Sequence, residues 1–203
     1  MMDHRVNDVQ LLYDDAVALY NDVVCNKADT IIEDLTKATE TLKNCWEGVD
    51  AAVQINHVID VHNAMVKVRN ALAGLSRDSS YVASKYREIQ NANRAGLQEL
   101  EPVTVGDAKP MLEAYVDDRD TINITADANQ GKTLLDTVNN MYDEFSAEVN
   151  RYYSNIMSNW QMGTGRDNAE SAFEEFIEGS KKYKAILEGV SQSITEALRN
   201  YQF

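Results

Sequence analysis

The side chains most often used for chemistry are few in this sequence and are not grouped. The histidines are His4, His57 and His62, and the last two are five residues apart. On a helix, a separation of five places two side chains about 140° apart, so they do not share a face. The sequence has no Glu-x-x-His pair, the signature of carboxylate-bridged metal sites in helical bundles. We expect no metal site and interpret His62 as a hydrogen-bonded residue at the edge of the core.

One segment matches part of a phosphate-binding loop. Residues 126–133 have the sequence ADANQGKT, a relaxed form of the pattern with Ala in place of the first Gly. Such a loop needs a preceding strand, a parallel sheet and an acidic magnesium ligand on another strand. Only residues 121–125 have the composition of a strand. We therefore interpret the segment as the start of a long helix and expect neither a nucleotide nor another cofactor.

The thiols and carboxylates also point to no reaction. Cys25 and Cys45 lie twenty residues apart on one predicted helix, about 30 Å at 1.5 Å per residue, which is too far for a disulfide. Neither is near a histidine in sequence, so neither has the signature of a nucleophile. Paired carboxylates, as at 14–15, 117–118 and 174–175, fall between apolar positions, and we interpret them as solvent-facing. No catalytic residue is predicted, and the chain is not expected to be an enzyme.

Composition and charge narrow the class of protein. The 203 residues are 44% hydrophobic and 26% charged, with only 2 Pro and 9 Gly, which excludes disordered and low-complexity classes. The 33 acidic and 19 basic residues give a net charge of -14. Nucleic acid is therefore an improbable partner, because its binding depends on basic residues that neutralise phosphates. The same charge disfavours anionic membranes, and no apolar run is long enough to span a bilayer.

Apolar periodicity in the first half predicts two long helices. More than forty residues without Gly or Pro carry apolar side chains at steps of three or four up to Cys45. Additional apolar residues widen this stripe, which implies several packing partners. The pattern stops at Trp46-Glu47-Gly48, and a second periodic segment covers residues 49–93, with a kink or interruption expected at the polar residues 75–81. The widening residues are Leu12, Ala16, Leu19, Val23 and Ile32.

The second half repeats this plan. A periodic segment ends at Trp160, which is followed by Gly163, and another continues to the C-terminus. Trp160 lies 114 residues after Trp46, which indicates an internal duplication. We predict an all-α fold in which two long helical hairpins form an elongated four-helix bundle. The predicted division is a hairpin at 1–93, a connector at 94–118 containing both prolines, and a second hairpin at 119–203.

The triplet Trp46-Glu47-Gly48, at the turn of an acidic helical hairpin, resembles the WxG-motif superfamily of early secreted antigen-type proteins. The resemblance covers both halves and omits the connector. It implies helical hairpins that pair as antiparallel four-helix dimers, leave the cell by type VII secretion, and use the turn in recognition by the secretion machinery. From the residues alone, Gly48 supplies backbone freedom, while the Trp46 indole either caps the end of the bundle or forms a recognition surface.

The chain departs from that family at three points. Trp160 and Gly163 are separated by two residues instead of one. The family's Tyr-x-x-x-Asp/Glu export signal is missing, since Tyr86 and Tyr183 are followed four residues later by Gln90 and Leu187. Two hairpins are also joined in one chain, which would turn a dimer into a pseudo-dimer.

The function expected from this resemblance is non-catalytic. The chain is either an exported WxG-like protein or a targeting partner for a secreted, virulence-associated toxin, and it acts by pairing helix faces. Trp46, Gly48, Trp160 and Gly163 are the expected turn and recognition residues. Expected partners are a helical secretion substrate, the secretion machinery or a second copy of the chain. The N-terminus lacks an export signal, so the expected route is cytoplasmic synthesis followed by signal-peptide-independent secretion.

Two alternatives to this function stay open at the level of sequence. A membrane-active helical toxin component would need an apolar hairpin long enough to enter lipid, and none is found. A small-molecule or metal-binding bundle would show itself by copurification of its ligand. Whether the hairpins pair within one chain or swap between two chains is also open.

Overall fold

The computed structural model describes residues 5–94, 96–162 and 164–201. Helix α1 (Val9–Ala18) leads through a π-helical stretch, Leu19–Ala28, into α2 (Asp29–Cys45), and the longest helix, α3, is Val49–Asn93. The remaining helices are α4 (Ala128–Asn159) and α5 (Thr164–Tyr201). The prediction of an all-α fold is confirmed, and α4 begins within the segment that had the partial phosphate-loop pattern.

The β structure consists of short pieces next to helix ends. Strand β1 (Arg5–Val6) pairs with β4 (Trp160–Met162), and β2 (Trp46–Glu47) pairs with β3 (Asn123–Ile124), both antiparallel. Each pair is only two or three residues long, too short to form a sheet with a hydrophobic face of its own. The strand pairs therefore only join helix ends locally, through backbone hydrogen bonds.

The expected interruption of α3 at residues 75–81 is wrong, because the helix is continuous there. Its serines bond back to the helix instead of competing with it: Ser79 Oγ donates to the Leu75 carbonyl and Ser80 Oγ donates to the Arg77 carbonyl, 2.9 Å away for Ser80. Bonds of this kind satisfy a buried hydroxyl without requiring a break in the helix. Ser79 and Ser80 are both fully buried.

The chain is organised in two compact units, each built from three chain segments. Unit 1 comprises residues 1–28, 68–108 and 145–177, and its helical parts come from α1 with the π-helical stretch, α3, α4 and α5. Its core includes Phe145 and Phe176, whose rings meet edge to face with centroids 5.6 Å apart. Other core residues are Leu12, Leu19, Val23, Val149, Ile156 and Trp160.

Unit 2 comprises residues 29–67, 109–144 and 178–203, with helical parts from α2, α3, α4 and α5. Four helical segments thus contribute to each unit, as four-helix packing requires, while the elongated bundle and the division into two hairpins and a connector stay predictions. Helices α2 and α4 approach closely at Gly131, where an added Cβ would lie 2.8 Å from a methyl of Leu42. The core of unit 2 includes Ile31, Leu35, Ile55, Met65, Leu135, Val138, Val190 and Ile194.

An extended segment, residues 97–119, which we call the strap, covers most of the predicted connector and ends one residue beyond it. In unit 1, the strap follows α3 from the Leu97–Asn91 contact to the Asp107–Arg69 contact. Ten strap residues thus accompany 22 helix residues, about 33 Å of helix, so the strap rises about 3.3 Å per residue and is nearly fully extended. The chain therefore returns along α3 without secondary structure of its own.

Between residues 100 and 115, most side chains at intervals of three are less exposed than their neighbours, which is the period of a polyproline-type conformation. This period matches the spacing of contacts on α3 in unit 2. Asn63 contacts Leu112 and Asn56 contacts Tyr115. The three-residue step along the strap and the seven-residue step along the helix are both about 10 Å long. The less exposed positions on this period are Leu100, Val103, Lys109, Leu112 and Tyr115; Gly106 is exposed although it falls on the period, and Val105 and Asp117 are less exposed although they do not.

Candidate recognition site at the tryptophan turns

The first turn joins α2 to α3 within unit 2. Trp46 lies in β2, opposite Ile124 of β3, and its side chain is only 3% exposed. Next to this pair, the Thr125 amide donates to the Cys45 carbonyl over 2.9 Å. Gly48 follows with a φ of +106°, and its carbonyl accepts the Ala52 amide, which opens α3. The helix can begin directly after the turn because glycine tolerates this backbone conformation.

Gly48 is required at the turn for a second reason. A Cβ added there would lie 2.5 Å from the Thr121 carbonyl oxygen, a backbone atom that cannot rotate away. The Gly48 amide also donates a hydrogen bond to Asp117 Oδ2 over 2.9 Å, which the close approach of the two segments allows. The glycine of the motif therefore serves both the sharp turn and the close contact with the chain entering the second hairpin.

Asp117 and Arg119, at the end of the strap, form a clasp on this turn. Arg119 Nε and Nη2 donate to the two oxygens of Asp117 over 2.8 and 2.7 Å, and Arg119 Nη1 lies 2.9 Å from Glu47 Oε1. The Asp117 side chain is 3% exposed, whereas the Arg119 side chain is about half exposed at 47%. Bidentate pairs of this geometry are strong and orient both partners.

The clasp fixes the charge state of Asp117. Hydrogen bonds from the Arg119 side chain, followed by the bond from the Gly48 amide, hold the pKa of the Asp117 carboxyl well below its usual range. The hydrogen bond to Asp117, followed by the one to Glu47, holds the pKa of Arg119 above its usual value. The carboxylate is thus charged wherever the turn is formed at ordinary pH.

The second turn joins α4 to α5 within unit 1. Trp160 lies in β4, opposite Val6 of β1, and its side chain is 1% exposed. Asn7 extends the pairing, since its amide donates to the Asn159 carbonyl over 2.9 Å and its side chain donates to the Ser158 carbonyl over 3.0 Å. Gly163, the glycine predicted for this turn, lies outside the described residues.

The two turns share one arrangement. In unit 2, the turn of the first hairpin pairs with the residues that precede α4; in unit 1, the turn of the second hairpin pairs with the residues that precede α1. Val6 and Ile124 are 118 residues apart, close to the 114 between Trp46 and Trp160. The predicted duplication is therefore consistent with a repeat that includes the segment before each hairpin as well as its tryptophan.

Burial of both indoles bears on the two roles considered for them. At 3% and 1% exposure, Trp46 and Trp160 have almost no surface to offer a partner in this conformation. Burial favours the capping role for the rings. The exposed apolar side chains beside the first turn include Val49 and Val53, at 53% and 48%, on the first turns of α3, and Ile122, at 42%, directly before β3.

His57 and His62 both lie in the part of α3 that belongs to unit 2. His62 is 1% exposed in unit 2, with Nδ1 3.0 Å from Asn63 Oδ1, as expected for a hydrogen-bonded residue at the core. Burial lowers its pKa, against a smaller opposing effect of the Asn63 hydrogen bond. His57 is exposed, and His4 lies outside the described residues. Among the described residues, no group of His, Cys, Asp or Glu is arranged to hold a metal ion.

The thiols differ sharply in environment. Cys25 is exposed, whereas Cys45 is buried just before the first turn. Burial, reinforced by the nearby Asp127 charge, raises the pKa of Cys45 to about 11. A thiol with a raised pKa is protonated and unreactive at neutral pH.

The interpretation of the paired carboxylates as solvent-facing is wrong for Asp15 and Asp117. Asp15 is 8% exposed, and its Oδ1 accepts from Asn155 Nδ2 over 3.1 Å within unit 1. Asp117 is buried by the clasp. The Arg119 side chain and the Gly48 amide donate to Asp117, which provides what burial of a carboxylate requires.

Sequence reasoning missed the asparagines that hold the strap. In unit 2, Asn63 accepts the Leu112 amide and donates to the Leu112 carbonyl over 2.8 and 2.9 Å. Asn56 holds Tyr115 in the same way over 2.8 Å for both bonds. Asn91 repeats the arrangement with Leu97 in unit 1. A signal was present, because four of the five asparagines of α3, at 56, 63, 70 and 91, are multiples of seven apart, with Asn93 outside this series.

No helix in the described part of the chain has an apolar stretch long enough to cross a membrane. Comparison of the chain with protein-family models, with characterised proteins and with solved structures gives no match.

Proposed function

We propose that this chain is a non-catalytic protein of a type VII secretion pathway. It is either an exported WxG-like protein or a targeting partner for a secreted toxin, and it acts by pairing helix faces. Its partner is a helical secretion substrate or a component of the secretion machinery. It is made in the cytoplasm and leaves the cell, alone or with its partner, without a signal peptide.

The pairing of each tryptophan turn with the start of the other hairpin carries this proposal. β2 pairs with β3 in unit 2, and β4 pairs with β1 in unit 1. The resemblance implies that separate family members pair their hairpins antiparallel, and reciprocal pairing of turns and hairpin starts is consistent with such a pseudo-dimer in one chain. A covalent link makes the association effectively unimolecular and independent of concentration.

The surface proposed for recognition lies beside the first turn. Because the Trp46 indole is buried, a partner that reads this turn without opening it meets Val49 and Val53. They are four residues apart and therefore share one face of α3. Apolar side chains at about half exposure on one face of a helix provide a preorganised contact of low entropic cost.

A comparison of secreted proteins tests the proposal. The medium of the parent bacterium is compared with that of two deletion strains, one lacking the type VII secretion ATPase and one lacking this chain. An exported chain disappears from the medium when the ATPase is deleted, whereas a targeting partner gives loss of the same toxin in both deletions. The proposal fails when the chain stays inside the cell in every strain and no secreted protein depends on it.

A further inference from the structure

The part of the strap in unit 2 is held by its backbone. Asn63 and Asn56 each bond both the amide and the carbonyl of one strap residue, at distances of 2.8 to 2.9 Å. These four bonds do not involve the side chains of Leu112 and Tyr115. The grip on the strap is therefore that of a surface that recognises extended polypeptide, with little dependence on sequence.

This grip leads directly to the Trp46 turn. Two residues after Tyr115, Asp117 accepts the Gly48 amide, and Arg119 reaches Glu47. The Thr121 carbonyl lies against Gly48, and β3 then pairs with β2. One continuous piece of chain, residues 112–125, thus covers the turn from the asparagines to the beginning of α4.

The strap carries little apolar anchorage in this region. Val116 is 82% exposed and Met111 is 52% exposed, while Leu112 and Tyr115 are only half-buried. Along residues 111–119, its attachment therefore rests mainly on hydrogen bonds and the clasp, whereas the chain that follows is anchored by the buried Ile124. A segment held mainly by such contacts opens at a lower free energy than a packed helix does.

We propose that residues 112–125 are a displaceable cover of the Trp46 turn, latched by Asn56 and Asn63. The latch keeps the indole buried, and its release exposes Trp46 and Gly48 to a partner. This inference rests on the proposed function for the identity of that partner, but the coupling between latch and turn stands independently of it. A partner suited to the exposed latch is an extended segment that offers backbone amides and carbonyls to the two asparagines.

Hydrogen exchange of the full chain, followed by mass spectrometry, tests the coupling. The test variant is Asn56→Ala with Asn63→Ala, and the matched control is Asn70→Ala, the next asparagine on the same line of α3. We expect exchange in residues 110–117 and in residues 46–50 to accelerate together by about tenfold or more in the test variant. The control should exchange as wild type does in both segments.

The helix α4 segment 134–142 provides an internal reference, because it belongs to unit 2 and lies outside the cover. Faster exchange there as well would mean that the asparagines stabilise the whole unit, and the displaceable cover would be overturned. Faster exchange of the strap alone, or of neither segment, would equally refute it. If strap and turn exchange faster together but the secretion experiment finds no role for this chain, only the proposed function is refuted.

Discussion

Replacement of Gly48 by alanine is the sharpest test of how the first turn is built. The backbone at Gly48 has a φ of +106°, and an added Cβ would meet the Thr121 carbonyl oxygen at 2.5 Å. Holding a residue other than glycine in such a conformation costs about 1 to 3 kcal/mol. Movement of Thr121 to relieve the contact would also strain the bond from the Gly48 amide to Asp117, and bonds to charged groups contribute about 1.5 to 3 kcal/mol.

Together these effects predict a loss of about 3 to 5 kcal/mol in the free energy of unfolding for Gly48→Ala. For a chain of this size, such a loss lowers the melting temperature by about 6 °C or more. Urea unfolding and thermal melting, both followed by circular dichroism at the helical minimum, measure the two quantities.

Gly189→Ala is the matched control. Gly189 lies in α5 of the same unit, and an added Cβ there would meet nothing within 4 Å. Alanine in a helix interior is favoured over glycine by about 0.5 to 1 kcal/mol, so this variant should be slightly more stable than wild type. If Gly48→Ala loses less than about 1 kcal/mol while the control behaves as expected, the reasoning about the turn is refuted.

Three further predictions concern titratable groups. The folded pKa of Asp117 lies below its unfolded value of about 3.9, so the stabilisation is present above that pH and is lost as the pH falls further; the difference in melting temperature between wild type and Asp117→Asn should therefore shrink from pH 6 to pH 3. The folded pKa of His62 lies below its unfolded value of about 6.5, so the unfolded chain binds a proton first and stability falls from pH 7 to pH 5.5; urea unfolding should show a larger fall for wild type than for His62→Gln, and equal falls would contradict this. A thiol reagent at pH 7.5 should label Cys25 rapidly and Cys45 only after unfolding, and mass spectrometry that found equal labelling of both would contradict the buried environment of Cys45.

The helices and both turns were predictable because they depend on local signals. Steps of three or four between apolar residues identify helices, and Gly48 marks a helix boundary from sequence alone. The residues named as widening the first stripe, among them Leu12 and Leu19, are fully buried. Periodicity alone does not fix every buried position: on α4, Leu135 and Tyr142 are buried, whereas their apolar neighbours Leu134 and Met141 are partly exposed.

The features that were missed depend on contacts between distant segments. Asp117 is buried because the strap delivers it to a turn 69 residues earlier, and no local pattern reports that. The period of three in the strap becomes meaningful only when α3 is known to receive it through Asn56 and Asn63. The serines near residue 80 suggested a break, but their hydroxyl groups have helix carbonyls to bond, which depends on the side-chain geometry of the formed helix.

The central structural claim is that each tryptophan turn pairs, within one chain, with the start of the other hairpin. Nuclear Overhauser contacts measure it directly, between β2 and β3 and between β4 and β1, in an equimolar mixture of isotope-labelled and unlabelled protein. The account predicts contacts from Trp46 to Ile124 and from Trp160 to Val6 that arise only within a single molecule of 22.8 kDa. Absence of either contact, or its appearance between labelled and unlabelled molecules, would contradict it.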